Sequence, residues 1–253
     1  MAVKNMKNIS VLEFDTDAIK ATQKAVAQET DDEILARLRE RFTILTDMTK
    51  AVKSGDVRAM IVSGPPGVGK SFGVEEVLQK DGLFDTLGER KPRYEVVKGA
   101  MSALGLYAKL YEYSDAKNVL VFDDCDSILM EDLSLNILKG AAIFITNIKF
   151  EHVKSKRLRD HLDALESRCH YIDLQMDTDR EKILRIKQIV GDGMLDAYEF
   201  EPIQRDEVVD FIVNNASKLR ELSLRMVLKV ADLRKAFPGS WMAMARTTCM
   251  RRT

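Results

Sequence analysis

The stretch Ala59-Met60-Ile61-Val62-Ser63-Gly64-Pro65-Pro66-Gly67-Val68-Gly69-Lys70-Ser71 decides how this chain is read. Its first four residues form a short apolar run that predicts a buried strand. The octamer Gly64–Ser71 then fits the pattern GxxxxGK[ST], and helical spacing resumes from about Lys70 to Lys80. A glycine-rich turn between a strand and a helix presents inward-facing N–H groups and a helix N-terminus, which together attract phosphate. In this pattern Gly64, Pro65, Pro66, Gly67, Val68 and Gly69 form the cradle, Lys70 reaches the β- and γ-phosphates, and the Ser71 hydroxyl ligates Mg²⁺. A chance octamer of this kind is expected in about 1% of chains of this length. The context of strand, turn and helix makes the phosphate reading the better one, so the expected cofactors are ATP and Mg²⁺.

Downstream, short apolar runs alternate with helical patterns. A loop over 81–92 leads to a strand at Tyr94–Val97, a helix around Ser102–Tyr113, and strands at Asn118–Phe122 and Ala142–Thr146. A helix at about Ser155–Glu166 then precedes a fifth strand, Tyr171–Leu174. Alternation of this kind predicts an α/β fold with a parallel sheet covered on both faces. Asp123-Asp124 end the third strand, in the crevice where open parallel sheets bind ligands. Asp123 is expected to hold Mg²⁺ through its water shell, and Asp124 to orient or deprotonate the attacking water.

Upstream, Thr30-Asp31-Asp32-Glu33 has the form of a capping box, and Ile34, Leu38, Phe42, Leu45, Met48 and Val52 recur at helical spacing. Ser54-Gly55-Asp56 ends that helix. Residues 1–56 are therefore expected to be a helical N-terminal segment packed on a 57–174 α/β core. After Leu174 the strand pattern stops. A helix opened by Thr178-Asp179-Arg180-Glu181 bears Ile183, Ile186 and Ile189-Val190, a second carries Val208, Val209, Phe211 and Ile212, and a third runs from Ser223 to Phe237. Residues 175–253 are expected to form a small helical domain, with Pro238-Gly239 breaking the third helix before a Met-rich, weakly basic tail.

Composition bounds the function classes. The 253 residues are 45% hydrophobic and 31% charged, with 39 basic and 40 acidic residues. This is a globular balance without the basic excess of a dedicated duplex-DNA binder. The three cysteines (Cys125, Cys169 and Cys249) are far apart, which argues against disulfides or a zinc site and suits a reducing cytoplasm. No apolar run is long enough to span a bilayer. His152, His161 and His170 do not cluster, and Cys125 reads as a packing residue.

The order of GPPGVGKS, VLVFDDCD, the strand end Ile145-Thr146-Asn147 and a helical lid resembles the AAA+ ATPase superfamily over roughly residues 35–236. That resemblance implies a five-stranded parallel sheet with a helical lid. It implies ATP hydrolysis in a ring-like oligomer, hexameric by preference, that remodels a protein or protein–nucleic acid complex. Asn147 matches the polar residue of sensor 1, and Arg225 in Leu222-Ser223-Leu224-Arg225 matches sensor 2. Ser167-Arg168-Cys169 is similar to the SRC motif of clamp-loader subunits, so Arg168 is the candidate finger reaching a neighbouring subunit, with Arg157 or Arg159 as substitutes.

Two departures stand out. Asp124 occupies the place where relatives usually carry Glu, which brings slower or partner-dependent turnover into view. Leu138–Ala142 also joins a helix to a strand with almost no loop, where relatives usually have a longer excursion, so a mobile segment that contacts substrate could be missing near Gly140-Ala141.

For the acted-upon partner, two features compete. Leu106 or Tyr107 could form an aromatic channel loop that grips a polypeptide, although packing of both with Leu110 and Tyr111 on one buried helix face is the simpler expectation. Lys149, Lys154, Lys156, Arg157 and Arg159 form a basic run that could touch nucleic acid or line a subunit interface. A loader acting on DNA-bound partners, and a nucleotide-dependent assembly switch with little turnover, are the alternatives.

Overall fold

The computed structural model describes residues 29–86, 93–99, 103–115, 117–125, 141–150 and 153–252. Helix α1 (Asp31–Ser54) begins as expected: the Thr30 hydroxyl accepts from Glu33 N–H, while Glu33 closes the capping box on the Thr30 backbone. It ends at Gly55, whose φ of 91° makes a left-handed cap with its N–H bonded to the Ala51 and Val52 carbonyls.

Five strands follow: β1 (Ala59–Ser63), β2 (Tyr94–Lys98), β3 (Val119–Asp123), β4 (Ala141–Thr146) and β5 (His170–Asp173). They form one parallel sheet in the order β2-β3-β4-β1-β5. Among the described residues, the helices between them are α2 (Lys70–Thr86), α3 (Ala103–Glu112) and α4 (Lys156–Glu166). Side chains alternate across the sheet, so each strand feeds two cores. Ile61, Leu120, Phe122, Ala142 and Phe144 pack beside Leu106, Leu110, Leu162 and Leu165 from α3 and α4. Met60, Val62, Val121, Ile143 and Ile145 pack on the other face with Leu45, Val52, Val74 and Leu78 from α1 and α2. Burial on both faces is why the strands read as unbroken apolar runs rather than as alternation.

Beyond the sheet come α5 (Asp179–Gly191), α6 (Pro202–Asn214), α7 (Leu224–Ala236) and α8 (Trp241–Cys249), with 3₁₀ turns at Asp196–Tyr198 and Ala216–Lys218. Their shared core includes Ile186, Val190, Val208, Phe211, Ile212, Met226, Val230 and Trp241. The α/β sheet with flanking helices and a helical lid is the fold class the sequence implies. Among the described residues, no helix is long and apolar enough to cross a membrane.

Four local expectations need correction. Helix α2 continues to Thr86 instead of giving way to a loop at Asp81. The Met-rich tail after Pro238-Gly239, for which no element is expected, forms a helix: Trp241, Ala245 and Cys249 are buried, with the Trp241 ring edge-on to Phe211 at 5.5 Å, and Leu219 bridges Met250. On α5 the buried residues are Glu181, Leu184, Arg185, Ile186 and Val190, because this helix faces α1 as well as the lid core. On α3, Leu106 and Leu110 are buried but Tyr107 and Tyr111 stand 52% and 76% exposed, so the tyrosines do not share the packed face.

Helix α1 joins core to lid. Arg37 bonds Glu29 and the buried Glu181 of α5 at 2.6 and 2.9 Å, and Arg180 of α5 bonds the Asp31 carboxylate. Glu181 also accepts from the backbone N–H groups of Asp177 and Thr178, so its buried charge is fully occupied.

Candidate functional site

Parallel strands put their C-terminal ends on one edge of the sheet, and register decides what meets there. Ser63 pairs with Thr146 and Asp123 with Ile145, so the residues that follow (Gly64, Asp124 and Asn147) emerge side by side. Gly64 is pinned there by its N–H to the Thr146 carbonyl (3.3 Å), and a side chain at this position would press on the Leu174 backbone.

The turn itself closes around Lys70, which is 5% exposed. Its ammonium donates to the Gly64 carbonyl at 2.6 Å, the Pro65 carbonyl at 2.9 Å and Asn147 Oδ1 at 2.9 Å. The Asn147 amide donates from Nδ2 to Asp124 Oδ1 at 2.7 Å. Only one amide orientation satisfies a lysine donor on one side and a carboxylate on the other. Asp124 reaches this partner from a left-handed backbone, φ 54°, a conformation that Asp tolerates better than most residues.

Ser71 Oγ donates to Asp123 Oδ1 at 2.9 Å. These two oxygens, one from each motif, form the donor pair suited to Mg²⁺, a hard cation that needs few protein ligands when phosphate and water complete its shell. No group of three or more His, Cys, Asp or Glu that could hold a metal ion occurs among the described residues. Lys98, paired in register with Asp123, lies 3.7 Å from its carboxylate and 2.9 Å from Glu75. The hydrogen bond to Glu75, more than the Asp123 charge, raises the Lys98 pKa above its ordinary value. The sequence reading passed over Lys98, although its place at a strand end beside the acidic pair was readable.

The lid touches the cradle directly. Leu224 N–H donates to the Gly67 carbonyl at 2.8 Å, and a Cβ on Gly67, whose φ is 71°, would stand 2.7 Å from Ser223 Cβ. Arg225 follows on the same turn, with its Cβ 3.7 Å from that point and its side chain exposed. Over Gly69 the nearest groups are Leu224 of α7, Phe42 of α1 and Arg185 of α5. Arg185 and Phe42 are site residues that sequence reasoning did not single out.

Arg168 is not part of this constellation. It precedes β5, whose first residue His170 pairs with Met60, and therefore lies at the opposite edge of the sheet from the cradle. It is exposed and donates to the Ala164 carbonyl at 2.6 Å. The basic run is also divided: Lys149 is 6% exposed and 3.3 Å from Asp177, Arg159 is tied to the Val153 carbonyl, and Lys154 and Lys156 are exposed. His152, the Arg157 and His161 side chains, and the short connection ending at Gly140 lie outside the described residues. Cys125 is buried at 3% exposure with its thiol toward the Val97 carbonyl, as a packing residue would be.

No family model matches the chain. A protein of Enterobacteria phage T4, described as an uncharacterized 36.7 kDa protein in the nrdC-mobD intergenic region, is 25% identical over 260 residues, covering 89% of this chain and 77% of that one. Among solved structures, a replication initiator DnaA bound to AMPPCP and single-stranded DNA has a TM-score of 0.47 at 16% identity, covering 80% of this chain. This chain spans only 63% of that protein's length. Domain III of the Thermotoga maritima replication initiation protein DnaA has a TM-score of 0.46 at 15% identity, covering 83% of this chain and 91% of that one.

Proposed function

We propose that this chain is an AAA+ ATPase that binds ATP with Mg²⁺, hydrolyses the γ-phosphate, and couples turnover to remodelling of a protein or protein–nucleic acid complex as a ring-like oligomer. The observation that carries the reading is the convergence of Lys70, Ser71, Asp123, Asp124 and Asn147 on one strand-end edge, with the lid seated on Gly67. Each group has a separate task there. The cradle N–H groups and Lys70 bind phosphate oxygens, exchanging the carbonyls of Gly64 and Pro65 for stronger, charged acceptors. Ser71 and Asp123 would hold Mg²⁺, which supplies charge neutralisation on the phosphates when bound. Asp124 orients the water and takes its proton, while Asn147 fixes the carboxylate's direction.

Arg168 is the proposed finger. Its position at the far edge of the sheet supports a role in a neighbour's site rather than in its own. Arg225, exposed next to Gly67, is the proposed lid sensor.

The test is Mg²⁺-dependent phosphate release by the purified protein, alone and with single-stranded DNA, duplex DNA or a protein fraction. Turnover that disappears in Lys70→Ala supports the ATPase reading, and stimulation by DNA selects the loader-like form of it. Tight ATP binding with no turnover in wild type would leave a nucleotide-controlled assembly switch as the better description.

A further inference from the structure

Arg185 is a buried cation with no ion pair among the described residues. It is 6% exposed, on the α5 face turned toward α1 and the cradle. Its guanidinium carbon lies over the Phe42 ring, 3.5 Å from the centroid. Nη1 donates to Gln188 Oε1 at 3.1 Å, whereas Nε is buried with no hydrogen-bond partner among the described residues. Burial lowers its pKa from the ordinary arginine value to about 10, and the field of Asp192 only partly offsets this. An arginine held this way is costly, since a desolvated charge needs a partner that an amide and an aromatic ring do not replace. A buried methionine would fill the volume without that cost.

Its position suggests what the missing partner is. Nη2 stands 3.9 Å from the point where a Cβ on Gly69 would lie, so the guanidinium covers the turn whose N–H groups form the cradle. Phe42 and Leu224 close on the same glycine from α1 and α7. With the ring against the guanidinium carbon and Nη1 on Gln188, Nε is an N–H left to meet an anion.

We propose that Arg185 is a nucleotide-binding residue: a lid arginine that pairs with the phosphate chain of a nucleoside di- or triphosphate seated on the cradle. The proposal rests on the P-loop reading above and extends it to an unassigned residue. Glycine-rich cradles hold the α- and β-phosphates, so an arginine over Gly69 serves ADP and ATP alike. Arg225, proposed to read the γ-phosphate, should matter for ATP alone. The lid would then carry two cations with different tasks: Arg185 detects that the site is filled and Arg225 detects with what. Because Arg185 sits on the helix that Glu181 and Arg180 tie to α1, neutralising its charge would strengthen the joint between lid and core.

The experiment measures equilibrium binding of ADP, ATP and inorganic tripolyphosphate with Mg²⁺ to wild type, Arg185→Met, Arg185→Lys and Lys70→Ala, with thermal melts of each nucleotide-free protein. Arg185→Met is expected to raise the melting temperature of the empty protein and to weaken ADP, ATP and tripolyphosphate alike by about 10- to 100-fold, the range for a charged hydrogen bond. Arg185→Lys, which keeps charge but loses the planar fork, should weaken all three severalfold. Affinities within twofold of wild type for all three ligands would overturn the proposal and leave a packing role. Loss confined to the nucleotides, with tripolyphosphate unchanged, would overturn the phosphate assignment. If Arg185→Met does not fold, Arg185→Lys carries the same comparison. Failure of the P-loop reading has a different signature: wild type that binds no ligand, or Lys70→Ala that binds them all as wild type does.

Discussion

Lys70 and Asp124 are joined through a single amide: Asn147 accepts from the Lys70 ammonium at 2.9 Å and donates to the Asp124 carboxylate at 2.7 Å. The cation proposed to meet the phosphates and the carboxylate proposed to activate water are thus held in register by one side chain at the end of β4. In the proposed site, a phosphate that draws Lys70 away would free the Asn147 carbonyl oxygen for the lytic water while Nδ2 keeps its hold on Asp124.

Asn147→Leu removes both hydrogen bonds at an exposed position where substitution costs the fold little. We expect kcat to fall by about 10²–10³, the scale for losing one preorganised polar contact in a catalytic site. The Kd for ATP should stay within about threefold, since the cradle and Lys70 are intact. Nucleotide titration beside phosphate release separates the two quantities, and an equal loss in both would place Asn147 in ground-state binding instead.

Asp124→Asn tests the base without disturbing its backbone. Asp124 has φ 54°, a left-handed conformation that Asn adopts as readily as Asp. The melting temperature should therefore stay within about 2 °C of wild type, and ATP binding should persist. Turnover should fall by at least about 10², the contribution of a positioned general base. Undiminished hydrolysis would show that Asp124 does not take the proton.

The sheet and its order of motifs were legible because a parallel sheet buried on both faces writes each strand as an apolar run, as in Met60-Ile61-Val62 and Val119-Leu120-Val121-Phe122. The capping boxes at Thr30 and Thr178 were legible because they are local. What escaped depends on neighbours distant in sequence. Arg185, between Leu184 and Ile186, looks like a solvent-side residue until α5 is laid against α1 and the cradle. Trp241 is hidden behind Pro238-Gly239, a pair that reads as an end, although the chain turns back to pack Trp241 on Phe211. Tyr107 and Tyr111 each lie one position along from Leu106 and Leu110, about 100° round the helix, and the leucines take the buried face.

Gly67→Ala should uncouple the lid from the cradle. The added Cβ meets Ser223 Cβ at 2.7 Å, and the φ of 71° is unfavourable for any side chain. Left-handed strain and overpacking together predict a loss of about 2–5 kcal/mol. Gly55→Ala is the control: its φ is 91°, but nothing lies within 4 Å, so strain alone predicts about 1–2 kcal/mol. Denaturant titration of both variants measures the difference, and only Gly67→Ala should also weaken ATP. Equal losses in the pair would mean that the Ser223 contact yields freely.

Arg168→Ala addresses the oligomer. The side chain is exposed at the sheet edge away from its own cradle and, among the described residues, bonds the Ala164 carbonyl alone, so its loss should change stability by less than about 0.5 kcal/mol. If Arg168 completes a neighbouring site, ATPase rate per subunit in wild type rises with protein concentration and reaches a plateau as interfaces fill. The variant should bind ATP normally at every concentration, yet turn over about 10³-fold more slowly at the plateau, the lower end of what a finger supplied across an interface contributes. Mixing catalytically dead Asp124→Asn with Arg168→Ala gives the decisive comparison. Mixed rings place an intact Arg168 from the first variant beside an intact Asp124 from the second, and activity should return. No recovery in the mixture, with both variants shown to co-assemble, would remove Arg168 from the active site.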